Sequence, residues 1–155
     1  MSMVCACASE NGCCVRVEGR GTMQHSQAAH AFAVHALESG TRRIIFDLSH
    51  CDYMDSTFLG CLIDLHQQFT GSVVLAASRQ QVDKLLGVTH LDRILKIIPA
   101  PPACYGEPIP LPGERIQPDD LARHVATCHR RLAEIESPLQ PVFARIADQL
   151  EREQS

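Results

Sequence analysis

Between Ile45 and Leu62 the chain reads IFDLSHCDYMDSTFLGCL, and the groups able to do chemistry crowd its middle: Asp47, Asp52, Asp55, Ser56 and Thr57. An apolar run ends at Leu48, a short polar loop follows, and a helical period begins at Ser56. In open parallel sheets functional groups gather at the carboxyl ends of strands. A serine at a helix start lies beside unpaired N–H groups and the positive end of the helix dipole. A phosphate on Ser56 would meet donors already in place and bring a charge of about −1.5 to −2 close to Asp55, Asp52 and Asp47. Surface potential would change strongly while the fold stayed intact. The plainer alternative makes Ser56 an N-cap worth about 1 kcal/mol. Thr57 is the second choice of acceptor, or simply part of the first helical turn. Asp47 and Asp55 suit strand ends and helix caps better than an acid/base or metal pair, because the usual catalytic companions are missing. There is no Gly-x4-Gly-Lys phosphate loop and no Gly-x-Ser-x-Gly elbow. The chain reads as a protein acted upon, not an enzyme.

Eight cysteines and eight histidines are the other reactive groups. Cys5, Cys7, Cys13 and Cys14 come early; Cys51, Cys61, Cys104 and Cys128 are scattered. Neither Cys-x2-Cys nor His-x3-His occurs, so the spacing predicts no metal site and no cofactor. His25, His30 and His35 are five apart, as are His124 and His129, and five residues is about 140° around a helix. Such pairs do not share a face. With no recognisable export signal the cysteines are expected as free thiols in a reducing compartment.

The elements that must position Ser56 follow from periodicity. Met3–Ala8 and Cys13–Glu18 are short strand-like runs around Glu10–Asn11–Gly12, a hairpin signal. Ala29, Phe32, Ala33, Ala36 and Leu37 fall on one helix face, and Ser39–Gly40 ends that helix. Arg43–Leu48 and Ser72–Ala77 are apolar runs suited to buried parallel strands. Ser56–Phe69 and Ser78–Leu86 are helical, and Ile94–Ile98 is a last short strand. The order is ββαβαβαβ: an α/β domain with a mixed four- or five-stranded sheet and packed helices. The domain is expected to span residues 1–98. A proline-rich stretch, 99–117, reads as a linker or a segment draped on the surface. Residues 118–153 carry two apolar stripes, Leu121, Val125, Cys128, Leu132 and Ile135, then Leu139, Val142, Phe143, Ile146 and Leu150. They predict a helical C-terminal extension that must pack on the domain, on itself or on a second copy of the chain.

The net charge is −4 with the two signs mixed along the chain, which argues against a nucleic-acid partner. No apolar run approaches the roughly 20 residues that span a bilayer, so direct membrane insertion is not expected and a cytoplasmic location is.

The run from Met54 to Gly60 (MDSTFLG), placed after the strand Ile44–Ser49 (IIFDLS), resembles the STAS domains of bacteria, most closely the anti-sigma-factor antagonists. Their pattern is an apolar strand ending Asp-Leu-Ser, then an apolar residue, Asp-Ser-Ser/Thr, Gly-Leu-Gly and an apolar helix. The similarity covers roughly residues 1–98 and includes the run Leu91–Ile94. It implies a regulatory protein-binding module in which Ser56 is phosphorylated by a serine kinase that is also the anti-sigma factor, and is restored by a phosphatase. Partner contacts would involve Gln24, Asp55, Ser56, Thr57 and Phe58. Two residues depart from the pattern. Phe58 stands where glycine is usual, and is expected at the edge of the helix's inward stripe as an exposed contact. Gln24 stands where many members carry an acid. The alternative role is an unphosphorylated STAS subunit docking on an inner-membrane transport ATPase.

Overall fold

A computed structural model describes residues 2–10, 12–111 and 118–153. Strand β1 (Met3–Ser9) pairs antiparallel with β2 (Gly12–Gly21), from Met3 opposite Glu18 to Ser9 opposite Gly12. Asn11, in the expected hairpin turn, lies outside the described residues. Helix α1 (Met23–Glu38) leads to β3 (Arg43–Asp47), which lies parallel to β2. A short strand β4 (Cys51–Met54), helix α2 (Ser56–Gln68) and β5 (Val73–Ala76) follow. Helix α3 (Arg79–Leu86) and a 3-10 turn (Leu91–Arg93) lead to β6 (Lys96–Ile98). Ser78 caps α3, accepting a hydrogen bond from Gln81 N at 3.2 Å. Strand β7 (Cys104–Pro110) and helices α4 (Pro118–Ala133) and α5 (Gln140–Glu153) complete the chain.

The sheet order is β6-β5-β3-β2-β1-β7, with β4 attached beside the end of β2. The mixed α/β architecture is as expected, with two more strands than the periodicity suggested. Strand β4 falls in what read as a loop, because four residues pairing with Gly19–Gly21 leave no periodic signal. Strand β7 lies within the proline-rich stretch and pairs antiparallel with β1. Its prolines are tolerated because an edge strand needs ladder donors on one side only.

Alternation sorts the strands into two faces. Val4, Val15, Val17, Ile44, Phe46, Val73 and Leu75 face the helices in one large core. Ile45, Val74 and Ala76 lie on the opposite face and form a separate small cluster with Ile98. Helix α2 is the pivot of the molecule: every residue from Thr57 to Leu65 is buried. Helix α1 flanks it, and α4, the turn after it and α5 add a further layer through Cys128, Leu132, Ile135 and Phe143. Gly60 is what lets α4 approach, since a Cβ there would overlap the Cys128 carbonyl. This close backbone approach is made with the C-terminal extension.

Candidate functional site

Ser56 is the first residue of α2, but it does not cap the helix. Asp55 does, its Oδ1 accepting from Phe58 N at 2.9 Å. The other carboxylate oxygen, Oδ2, accepts from Met23 N, the first amide of α1, at 2.8 Å. One carboxylate therefore serves the positive ends of two helices. The Asp55 amide in turn donates to the Gly21 carbonyl at the end of β2 at 2.8 Å. These three bonds lock the loop, both helix starts and the sheet end into one unit, with Ser56 next in line.

Freed from capping, the Ser56 hydroxyl lies 2.8 Å from His129 Nε2 on α4. His129 is buried, and its Nδ1 is 2.8 Å from the Val125 carbonyl. A carbonyl only accepts, so Nδ1 carries a proton, and in the neutral ring Nε2 offers its lone pair to the Ser56 O–H. The ring packs edge-on to Phe143 of α5, centroids 5.9 Å apart. The extension thus places a hydrogen-bond acceptor directly on the serine singled out by the sequence. Nothing local in the sequence pairs these two residues; the only hint was the stripe that seats α4.

Thr57 is buried at 4 % exposure and Phe58 at 0 %. Phe58 is therefore not the exposed contact expected at the edge of the stripe. The stripe would have left it at the margin, but Phe58 shares a buried side of α2 with Leu62 and Leu65, turned about 160° from Ser56, which meets α4. Gln24 is exposed in the first turn of α1. The exposed apolar groups on the neighbouring elements are Met23 and Tyr53, and Tyr53 carries the Arg20 guanidinium 4.3 Å above its ring. Asp47 is buried and separate from Asp55 in role: its Oδ1 accepts from Ser49 N at 3.0 Å and from Ser49 Oγ at 2.6 Å.

A second polar seam runs along the same α1–α2–α4 junction. Ser26, fully buried, lies 2.8 Å from His124 Nε2. Asp64 of α2 is met by His30 at 2.6 Å, Arg131 at 2.9 Å and Gln68 at 2.7 Å. Burial alone would raise the Asp64 carboxyl, but the bonds from His30, Arg131 and Gln68 outweigh it and hold it at about 2. His124 is lowered to about 4 by burial and by nearby His30, against the pull of Asp64. The two histidines of α4 point to different serines on different helices, as their spacing implies.

Residues 7–98 match the sequence model of a family described as "Mlab, STAS domain". The chain belongs to the STAS domain family. The match covers more than half of the chain and ends at β6. Two solved structures are similar to this STAS chain. One is the anti-sigma factor antagonist SpoIIAA in its unphosphorylated form, with 14% identity, TM-score 0.49, and coverage of 65% of this chain and 90% of that one. The other is an anti-sigma factor antagonist from Mycobacterium paratuberculosis, with 18% identity, TM-score 0.49, and coverage of 64% and 86%. No described helix of this STAS protein is long and apolar enough to cross a membrane.

Proposed function

We propose that this protein is a bacterial cytoplasmic regulatory module, anti-sigma-factor-antagonist-like, switched by phosphorylation of Ser56 by a partner kinase that doubles as the anti-sigma factor. The observation that carries the reading is the position of Ser56. It is the first residue of α2, locked to the sheet end through Asp55, with its hydroxyl free of any capping duty. Residues 1–98 form the STAS unit in this reading, and α4 with α5 forms a cover over its switch. The exposed Gln24, Met23 and Tyr53 offer the docking surface beside it, while Thr57 and Phe58 act from within.

A phosphate on Ser56 replaces the proton that His129 Nε2 accepts with a dianion facing the same lone pair. Unless His129 gains a proton, the two repel and the α2–α4 contact is strained. Phosphorylation would then be read by the partner both as charge beside Asp55 and as displacement of α4.

The alternative role, an unphosphorylated STAS subunit on an inner-membrane transport ATPase, draws on the same bond: the Ser56 hydroxyl is already engaged. The discriminating experiment is purification from native cells. Copurification of a serine kinase with phosphate on Ser56 supports the switch. Copurification of a transport ATPase with unmodified Ser56 rejects it.

A further inference from the structure

On the sheet face away from the helices, three cysteines from three strands converge. Cys7 of β1 lies directly opposite Cys14 of β2. Ser9, two residues along the same face of β1, lies opposite Cys104 of β7. The three Sγ atoms all lie within 4.8 Å of one another. Cys14 is fully buried, Cys7 is 7 % exposed, and Cys104 is half-buried at the sheet edge. We infer that Cys7, Cys14 and Cys104 form a three-thiolate site for a thiophilic d10 cation, Zn2+ or Cu+.

The dimensions fit. Metal–sulfur bonds of about 2.3 Å place thiolates about 3.8–4.0 Å apart around a tetrahedral or trigonal ion. The separations present exceed that by no more than about 1 Å. An all-sulfur donor set selects soft ions over Mg2+ or Ca2+. Cu+ is satisfied by three sulfurs, whereas Zn2+ takes a fourth ligand, for which the half-buried edge at Cys104 gives solvent access. Ser9 supplies a second polar group on this face: its buried Oγ finds no hydrogen-bond partner among the described residues. Arg16, two residues beyond Cys14 on the same face of β2, partly offsets the thiolate charge, although it also pairs with Asp47 at 3.6 Å. Burial, reinforced by Cys104, raises Cys7 to about 11 and raises Cys14 as well. Without an ion Cys7 and Cys14 are protonated near neutrality, so uptake releases protons. The spacing rules missed the site because it is assembled by strand register: Cys7 and Cys14 meet across a hairpin and Cys104 arrives on β7, beyond residue 98.

The test uses the full chain, reduced and then freed of metal. Co2+ is titrated as a spectroscopic stand-in for Zn2+, and Cu+ is titrated against a coloured chelator. One equivalent of Co2+ giving thiolate-to-cobalt charge-transfer absorption, displaced by Zn2+, supports a zinc site. One equivalent of Cu+ held against the chelator supports a copper site. Cys104→Ser, on the edge strand, should fold by circular dichroism and weaken binding by more than about tenfold, the least that losing even an outer-shell partner costs. Cys13→Ser, which alters the opposite face, should bind like the parent. Cys7→Ser should repeat the Cys104→Ser loss. Neither ion bound at one equivalent, or folded Cys104→Ser and Cys7→Ser proteins binding as tightly as Cys13→Ser, would overturn the proposal.

Discussion

The Ser56 hydroxyl and the His129 imidazole meet at 2.8 Å across the α2–α4 interface, joining residues 73 positions apart in the chain. The contact ties the carboxyl end of the STAS sheet to a helix beyond the family match. Whatever changes the state of Ser56 is felt by α4, and whatever lifts α4 frees the half-buried Ser56 hydroxyl from His129.

Substitution at Ser56 separates cap from switch. Because Asp55 caps α2, Ser56→Ala should cost only the bond to His129, about 1–2 kcal/mol with the buried Nε2 left unpaired. Urea denaturation reads that loss. The same variant should still bind the partner kinase, whereas Ser56→Asp should bind it more weakly and with added salt dependence. Equal affinities for Ser56→Asp and wild type in a titration would contradict the charge argument.

Asp55 should prove more costly to lose than Ser56. Its carboxylate serves Phe58 N and Met23 N together. Removing one capping acceptor costs about 1 kcal/mol, so Asp55→Ala should cost roughly twice that, and Asp55→Asn less. Thermal melts of the three proteins give the ranking; an Asp55→Ala melt within error of wild type would show that the double cap contributes nothing.

At Gly60 two effects oppose each other. Alanine favours a helix interior by about 0.8–1.0 kcal/mol over glycine. Here the added methyl would overlap the backbone of Cys128, and overpacking of this kind costs about 1–3 kcal/mol. Gly60→Ala should therefore destabilise the full chain and loosen α4, measurable as faster amide exchange in Pro118–Ala133. A stabilised Gly60→Ala protein would mean that α4 packs less closely than the geometry implies.

Acid should weaken the fold in two stages. His124 is held down to about 4 from 6.5, so the unfolded chain takes up a proton first as pH falls. Its contribution is complete above 6.5 and is lost between 6.5 and about 4. Asp64, held at about 2 from 3.8, contributes fully above 3.8 and loses that contribution as pH falls towards 2. The groups facing this pair are His30, Arg131, Gln68, Ser26 and Cys128. His124→Gln should flatten the first stage in urea midpoints measured against pH while leaving the second. An unchanged first stage would place its origin in another histidine.

The alternating strands and helices could be read locally, because each depends on neighbours in sequence. The burial of Phe58 could not: the stripe read from the sequence was too narrow, and the buried side of α2 extends round to Phe58 and Leu65. Strand β7 was hidden by prolines that only an edge position accommodates. His129 offered no signal of its own, since its partner lies on another helix. The three clustered cysteines have spacings that become meaningful only once strand register is known.

The central claim is that Ser56 is a phosphorylation switch covered by α4, and phosphosite mapping tests it most directly. The wild-type protein and His129→Ala, each purified from its own cells and shown to be folded, are digested and the phosphate located by mass spectrometry. The account predicts phosphate on Ser56 in the wild type, at higher occupancy in His129→Ala, where the hydroxyl has lost its acceptor. Phosphate found elsewhere with Ser56 unmodified in both proteins, or occupancy at Ser56 indifferent to His129, would contradict it.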